Sequence, residues 1–256
     1  MAEYRIRLLA CNTAAIIALG IVVSVVTSTI VASNAYRSKF SEAQKAQQSI
    51  VVKGKATKRV RSDRGQWWIT VNGTGESIQT AHSILADGIS KVNEYLDGRQ
   101  FTEDEITRGP ISTRVHYDRD ENGKTTRKIV EYELSQHIRV STTDVDKIAS
   151  AAGEVTDLLK EGIFVIGGTP QYTYSGVSDV KIQILADAAS NARKRADEVS
   201  LKAGGSVKDI RDIRQGVIQI TTPDSTRVTS YGVNDTSTIM KDVSVVVTVE
   251  FGIGDV

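Results

Sequence analysis

The chain has 256 residues, 40% of them apolar and 25% charged, with a net charge of +1. Once Glu3, Arg5 and Arg7 are set aside, basic and acidic residues balance, so nothing resembles the electrostatic footprint of a nucleic-acid binder. Cys11 is the single cysteine, which excludes internal disulfides and thiolate metal sites, and the length fits one large domain or two small ones.

No charged residue falls between Leu8 and Tyr36, and the apolar run from Leu8 to Ala32 is long enough to cross about 30 Å of hydrocarbon as a helix. The anchor residues are Leu8, Leu9, Ile16, Ile17, Leu19, Ile21, Val22, Val23, Val25, Val26, Ile30 and Val31. The run outlasts the apolar segment of a cleavable signal peptide, and Ser33-Asn34-Ala35 makes a weak cleavage site, so an uncleaved signal-anchor is expected. Leu8-Leu9-Ala10-Cys11 spells a lipobox but has no apolar segment before it, so lipidation is not expected. Arg5 and Arg7 before the span and Arg37 and Lys39 after it give little bias, while the short N-terminus favours export of the bulk. Residues 1–36 are thus read as a short cytoplasmic end and a single-pass anchor in the inner membrane. Residues 37–49 form a stalk or linker, and 50–256 an exported domain in the periplasm or outside the cell.

Small or apolar residues alternate with polar ones from Val52 to Val60, and again around Trp67, Ile69 and Val71; the two strands are expected to form a hairpin turned near Asp63 to Gly65. The period then changes: Ile78, Ala81, Leu85, Ile89, Val92 and Leu96 mark an amphipathic helix ended by Gly98. A second hairpin joins Ile111, Thr113, Val115 and Tyr117 to Val130, Tyr132 and Leu134 through Glu121-Asn122-Gly123-Lys124. A two-residue Asn-Gly turn sets Arg114 opposite Glu131 and Asp118 opposite Arg127.

Asp144 is the expected N-cap of a second helix with Val145, Ile148, Ala152, Val155 and Leu159 inside, closed by Gly162. Tyr172 and Tyr174 indicate a short strand. Ser178 should cap a long third helix whose buried stripe is Ile182, Leu185, Ala189, Ala192, Ala196, Val199 and Ala203. Strands near Val217 to Thr221 and from Val243 to Phe251 finish the chain, separated by the polar segment Thr222 to Lys241. The sum is an α+β fold: a transmembrane helix, then hairpin-helix units with helices packed on mainly antiparallel sheet, divisible into two sub-modules.

Candidate chemistry is sparse. His116 and His137 fall on polar strand faces, opposite Ile129 and Arg108 in that register, and read as solvated histidines. Gly73-Thr74-Gly75 has Ile78 where a phosphate loop needs its third glycine. Glu103-Asp104-Glu105 and Glu131 with Glu133 lack calcium-loop spacing. Arg193-Lys194-Arg195, with Arg211 and Arg214, is interleaved with Asp187, Asp197 and Glu198 and reads as a solvated face. No catalytic, cofactor or metal site is expected. Trp67 and Trp68 must point to opposite faces of one strand, which leaves Trp68, with Tyr231 in the late loop, as candidate oligomer contacts.

The opening Ile50-Val51-Val52-Lys53-Gly54-Lys55-Ala56, the Trp-bearing strand, Gln171-Tyr172, the helix Ala186-Asp187-Ala188-Ala189-Ser190-Asn191-Ala192-Arg193 and the closing strand Val243 to Phe251 resemble SIMPL-domain proteins, in particular the bacterial branch with a membrane anchor and a periplasmic domain. The resemblance implies an exported α+β module, ring-like or cage-like homo-oligomers in some relatives, proposed envelope or oxidative stress roles and no established catalytic residues. The polar segment Thr222 to Lys241 departs from it. The leading expectation is a non-enzymatic, self-assembling envelope protein whose partners are itself and the membrane, not nucleic acid. A periplasmic ligand-binding or sensor module on a single-pass anchor is the alternative, and a hydrolase built on Glu or Asp with one His comes third.

Overall fold

The computed structural model describes residues 24–34 and 48–255. Its strands are β1 (Ser49–Arg61), β2 (Arg64–Gly75), β3 (Ile106–Arg119), β4 (Thr125–Thr142), β5 (Val165–Gly167), β6 (Gln171–Thr173), β7 (Gly205–Gln215), β8 (Gln219–Thr221) and β9 (Met240–Asp255). The helices after residue 48 are α1 (Ile78–Gly98), α2 (Val145–Glu154) and α3 (Val177–Lys202). Single 3-10 segments cover Glu103–Glu105 and Val155–Glu161.

The expected β1–β2 hairpin does not form. β1 belongs to a four-stranded sheet in the order β1-β9-β7, with β8 on β9, whereas β2 belongs to a five-stranded sheet in the order β3-β4-β2-β5, with β6 also on β2. The chain changes sheets at Ser62 and Asp63, whose amides donate to the carbonyls of Ile239 (2.8 Å) and Thr173 (3.0 Å). A local turn signal marks where the chain bends, but not which strand it meets next.

In the five-stranded sheet, β2 runs antiparallel to β4 from Gly65↔Thr142 to Gly75↔Tyr132. Alternation puts Trp67, Ile69 and Val71 on the buried face with Ile138, Val140 and Leu134, against Ala81, Leu85, Val92 and Leu96 of α1 and Val145, Ile148 and Ala151 of α2. Ser77 caps α1 by accepting from Thr80 N, and Asp144 caps α2 by accepting from Lys147 N. Gly98 is still helical, and Arg99 is the C-cap. The 3-10 geometry after Glu154 rotates the apolar face, so Leu158 is buried and Leu159 is exposed, and Gly162 closes the segment at φ 81°.

The long β3–β4 hairpin forms in a different register from the one expected. Asp120 N donates to Lys124 O (2.9 Å), Gly123 N to Asp120 O (2.8 Å), and Gly123 takes φ 76°, so the turn has three central residues instead of two. Two further irregularities shift the ladder, giving Arg114↔Glu133 and His116↔Glu131. Asp118 accepts from Lys128 (3.3 Å), not Arg127. His137 lies beside Thr70 of β2, and Arg108 pairs with Ile138.

The buried stripe of α3 follows strict four-residue spacing, Val180, Ile184, Ala188, Ala192, Ala196 and Ser200, while Ile182 and Val199 of the expected stripe are exposed. In β9, Val243, Val245, Val247, Val249 and Phe251 are buried. The chain divides into two compact units, one of Lys55–Asn191 with Gln215–Val247, the other of Ala192–Arg214 and Thr248–Val256 with the segment ending at Gly54.

Of the expected anchor, Leu8, Leu9, Ile16, Ile17, Leu19, Ile21, Val22 and Val23 lie outside the described residues. Val25, Val26, Ile30 and Val31 are exposed on a helical stretch spanning 24–34. Among the described residues no helix is long and apolar enough to cross a membrane.

Candidate functional site

Two features of the larger unit stand out, a cavity under the loop that precedes β9 and a projecting β-ribbon. Residues 222–239 contain no helix or strand, yet they are tied down from both sides. Ile220 N donates to Val233 O (2.8 Å), Asp235 N donates to Ile220 O (2.9 Å), and Gln219 holds the carbonyl of Thr229 (2.9 Å). At the loop's start, Asp224 adopts φ 60°, a conformation Asp tolerates better than most residues, and its amide donates to Asp242 (3.0 Å). Arg59 then clamps both carboxylates, reaching Asp242 with two nitrogens (2.8 and 3.0 Å) and Asp224 with one (2.8 Å). The bonds from Arg59 hold the buried Asp242 carboxyl below the usual carboxylate range, against the opposing effect of burial.

This folded loop roofs a cavity of about 420 Å³. Its apolar lining comes from Val60, Val177, Ile218, Ile220, Val233 and Val243, its polar lining from Thr173, Asn234, Tyr174 and Tyr231, and its charges are Lys181 and Lys241, with no carboxylate on the wall. Lys241 is 2% exposed. Its Nζ donates to the Asp235 carbonyl (2.6 Å) and sits 4.0 Å from Asp235 Oδ1, which itself accepts from Ser237 N (3.0 Å) and Ser237 Oγ (2.9 Å). Burial pushes the Lys241 ammonium pKa down, and Asp235 opposes this.

Lys241 was not singled out in the sequence, where it reads as the end of a polar segment. A signal was present, however: it stands in phase with Val243, Val245, Val247, Val249 and Phe251, the inward face of β9. Tyr231, expected as an oligomer contact, lines this cavity while 96% exposed.

The ribbon arises because β2 ends at Gly75, opposite Tyr132, while β3 and β4 run on to their turn. Beyond that point, among the described residues, the two strands pair only with each other. The sheet face that is core at Ile138 and Leu134 continues outward through Val115, Tyr132, Tyr117 and Ile129, without the helix that covers it further in. Ile111, Tyr117, Ile129 and Val130 are exposed. On the ribbon's other face, His116 Nε2 and Glu133 share a hydrogen bond (2.7 Å), with Arg114 3.8 Å from the same carboxylate oxygen.

The other expected positions are dispersed. Trp68 is half-buried on the β2 face opposite Trp67, directly across from Arg139. His82 is exposed on α1, and His137 Nδ1 bonds Thr70 Oγ1 (2.8 Å). Glu103 pairs with Arg108 (2.7 Å) and Glu105 with Lys147 (3.0 Å). Among the described residues no group of three or more His, Cys, Asp or Glu is placed to hold a metal ion.

The family model SIMPL, described as "Protein of unknown function (DUF541)", matches residues 50–251. Comparison with curated protein sequences gives no significant match. Among solved structures, a hydantoinase/carbamoylase family amidase from Burkholderia ambifaria is 10% identical, with a TM-score of 0.27 over 45% of this chain and 29% of that one. A putative aminohydrolase from methicillin-resistant Staphylococcus aureus is 13% identical, with a TM-score of 0.24 over 48% and 33%. A hydrolase from Listeria innocua is 10% identical, with a TM-score of 0.22 over 77% and 91%. The chain thus spans less than a third of the length of the amidases first matched.

Proposed function

Since the chain belongs to the SIMPL family, whose function is unknown, we propose that it is a non-enzymatic envelope protein held in the inner membrane by its N-terminal apolar run, with the SIMPL domain on the periplasmic side, and that it self-associates through that domain. The ribbon is the observation that carries the assembly part. It exposes Tyr117, Ile129 and Val130 together on a two-stranded projection, and β3 is the terminal strand of its sheet, with a backbone edge open to pairing. Charged residues and Pro110 blunt much of the β3 edge, but the apolar cluster of Tyr117, Ile129 and Val130 is left uncovered, and exposed clusters of this kind serve as contact surfaces. The anchoring part rests on the uncharged stretch between Leu8 and Tyr36.

The test is the absolute mass, by light scattering, of the detergent-extracted full chain beside the double variant Tyr117→Lys/Ile129→Lys. A discrete multimer that falls to a smaller species in the variant is expected. A monomeric wild type removes the assembly reading, and a variant that keeps the full mass moves the contact away from the ribbon.

A further inference from the structure

We propose that the cavity roofed by residues 222–239 is a binding site for a small monocarboxylate with an apolar body, whose carboxylate is received by Lys241 and whose hydrocarbon rests on Val60, Ile220, Val233 and Val243. The site lies apart from the ribbon on which the assembly reading rests, and either can fail without the other.

Lys241 carries a charge that its surroundings balance only in part. A lysine taken almost wholly out of water needs a partner of opposite sign or gives up its proton. Lys241 is 2% exposed, its one hydrogen bond goes to the neutral carbonyl of Asp235, and the nearest carboxylate oxygen stands at 4.0 Å with two Ser237 donors already on it. An ammonium has three donors, so capacity remains. The cavity walls supply no carboxylate to use it, and the second charge on the wall, Lys181, is also positive. An anion therefore completes the site, whereas a cation meets two like charges.

The remaining wall selects the type of anion. A phosphate or a dicarboxylate brings several acceptors and wants several donors held together, whereas only one ammonium of this wall, that of Lys241, is buried; the other donors sit on the exposed Lys181, Thr173, Asn234 and Tyr231 and the half-buried Tyr174. A single carboxylate with a short aliphatic or aromatic body matches both the charge and the surface. The volume, about 420 Å³, is that of a small-molecule pocket. Tyr231, almost fully exposed on the wall, is free to cover the mouth, and the Arg59–Asp242–Asp224 clamp fixes the roof before a ligand arrives.

The test uses the full chain in lipid nanodiscs and fluorine NMR, with para-fluorobenzoate as the probe, para-fluorobenzyl alcohol as its uncharged counterpart and empty nanodiscs as the blank. The acid is expected to bind at least about tenfold more tightly than the alcohol, the difference expected of a hydrogen bond to a charged group. Lys241→Met keeps the side-chain length, removes the charge and should erase that preference. Thr173→Trp, at an exposed position on the wall, should block both probes without disturbing the core. It carries the test by itself if circular dichroism shows that the Met variant is unfolded. Equal binding of acid and alcohol to the wild type, no binding of either, or undiminished acid binding in Thr173→Trp overturns the proposal.

Discussion

Gly73 of β2 and Ala81 of α1 touch backbone to backbone: a Cβ placed on Gly73 stands 2.4 Å from the Ala81 carbonyl oxygen and 2.5 Å from the Leu85 amide nitrogen. Neither contact can be relieved by rotating a side chain. Gly73→Ala is therefore expected to cost about 3 kcal/mol or more, because the helix has to move off the sheet. Gly98→Ala is the control. Nothing lies within 4 Å of its added Cβ, and the change should be neutral or gain about 0.5 kcal/mol. Urea denaturation of the two variants beside the wild type separates these outcomes.

The Arg59 clamp makes part of the stability depend on acid. Asp242 has a folded-state pKa below its ordinary value of 3.8, chiefly through Arg59, so the stability it contributes is present above that value and is lost as pH falls through the lower, folded value. Asp242→Asn should be less stable than the wild type at neutral pH, and the gap should narrow as pH drops below about 4. A gap that does not change with pH contradicts the clamp. In the same variant, trypsin should cut faster at the exposed Arg227, because the loop has lost its tie at Asp224.

Trp67 and Trp68 differ in surroundings, and fluorescence reads the difference. Trp67 is fully buried, with Nε1 donating to the Gly168 carbonyl (2.7 Å), while Trp68 is half-buried on the opposite face. Trp67→Phe should cost about 2 kcal/mol, from lost volume and an unpaired carbonyl, and should leave a red-shifted, quenchable emission. Trp68→Phe should leave a blue-shifted emission that acrylamide barely reaches. If Trp68 is also an assembly contact, its quenching in the Trp67→Phe variant falls as protein concentration rises.

Gly162 ends the 3-10 segment at φ 81°, with open space where a side chain would go. Replacing it with Ala should cost about 1 kcal/mol from backbone strain alone, and Asn, which tolerates this conformation, should cost less. Equal losses for Ala and Asn in thermal melts would mean that packing, not backbone conformation, sets the penalty.

What the sequence shows depends on how local the cause is. α1 follows from apolar spacing, the start of α2 from Asp144, and both match the structure because neighbouring residues determine them. The pairing of β1 with β9 depends on residues far apart, such as Arg59 and Asp242, and no local pattern announces it. β7 was missed because it carries Ile210 and Ile213 exposed among charges, with little alternation to read. The hairpin register failed on the turn, where Gly123 sits third and not second, and on two irregularities in the ladder beyond it that no turn signal announces. The cavity could not be read at all, since its wall is assembled from β1, β6, α3, β8, β9 and the late loop; only Lys241 left a trace, in its phase with the valines.

The pairing of β1 with β9 also sets an order of events in the cell. The chain is made from its N-terminus, so β1 is complete early, yet its partner β9 is the last of the described strands, and the seam closes only when Ile253 donates to the Gln48 carbonyl (3.2 Å) and Asp242 reaches Arg59. Until then β1 waits with an open edge, the state in which strands join the wrong neighbour. The domain thus finishes folding only once β9 has been synthesised, as a long-range closure that is slow by its topology, and a truncation that removes β9 leaves a nascent chain that is both unfinished and adhesive.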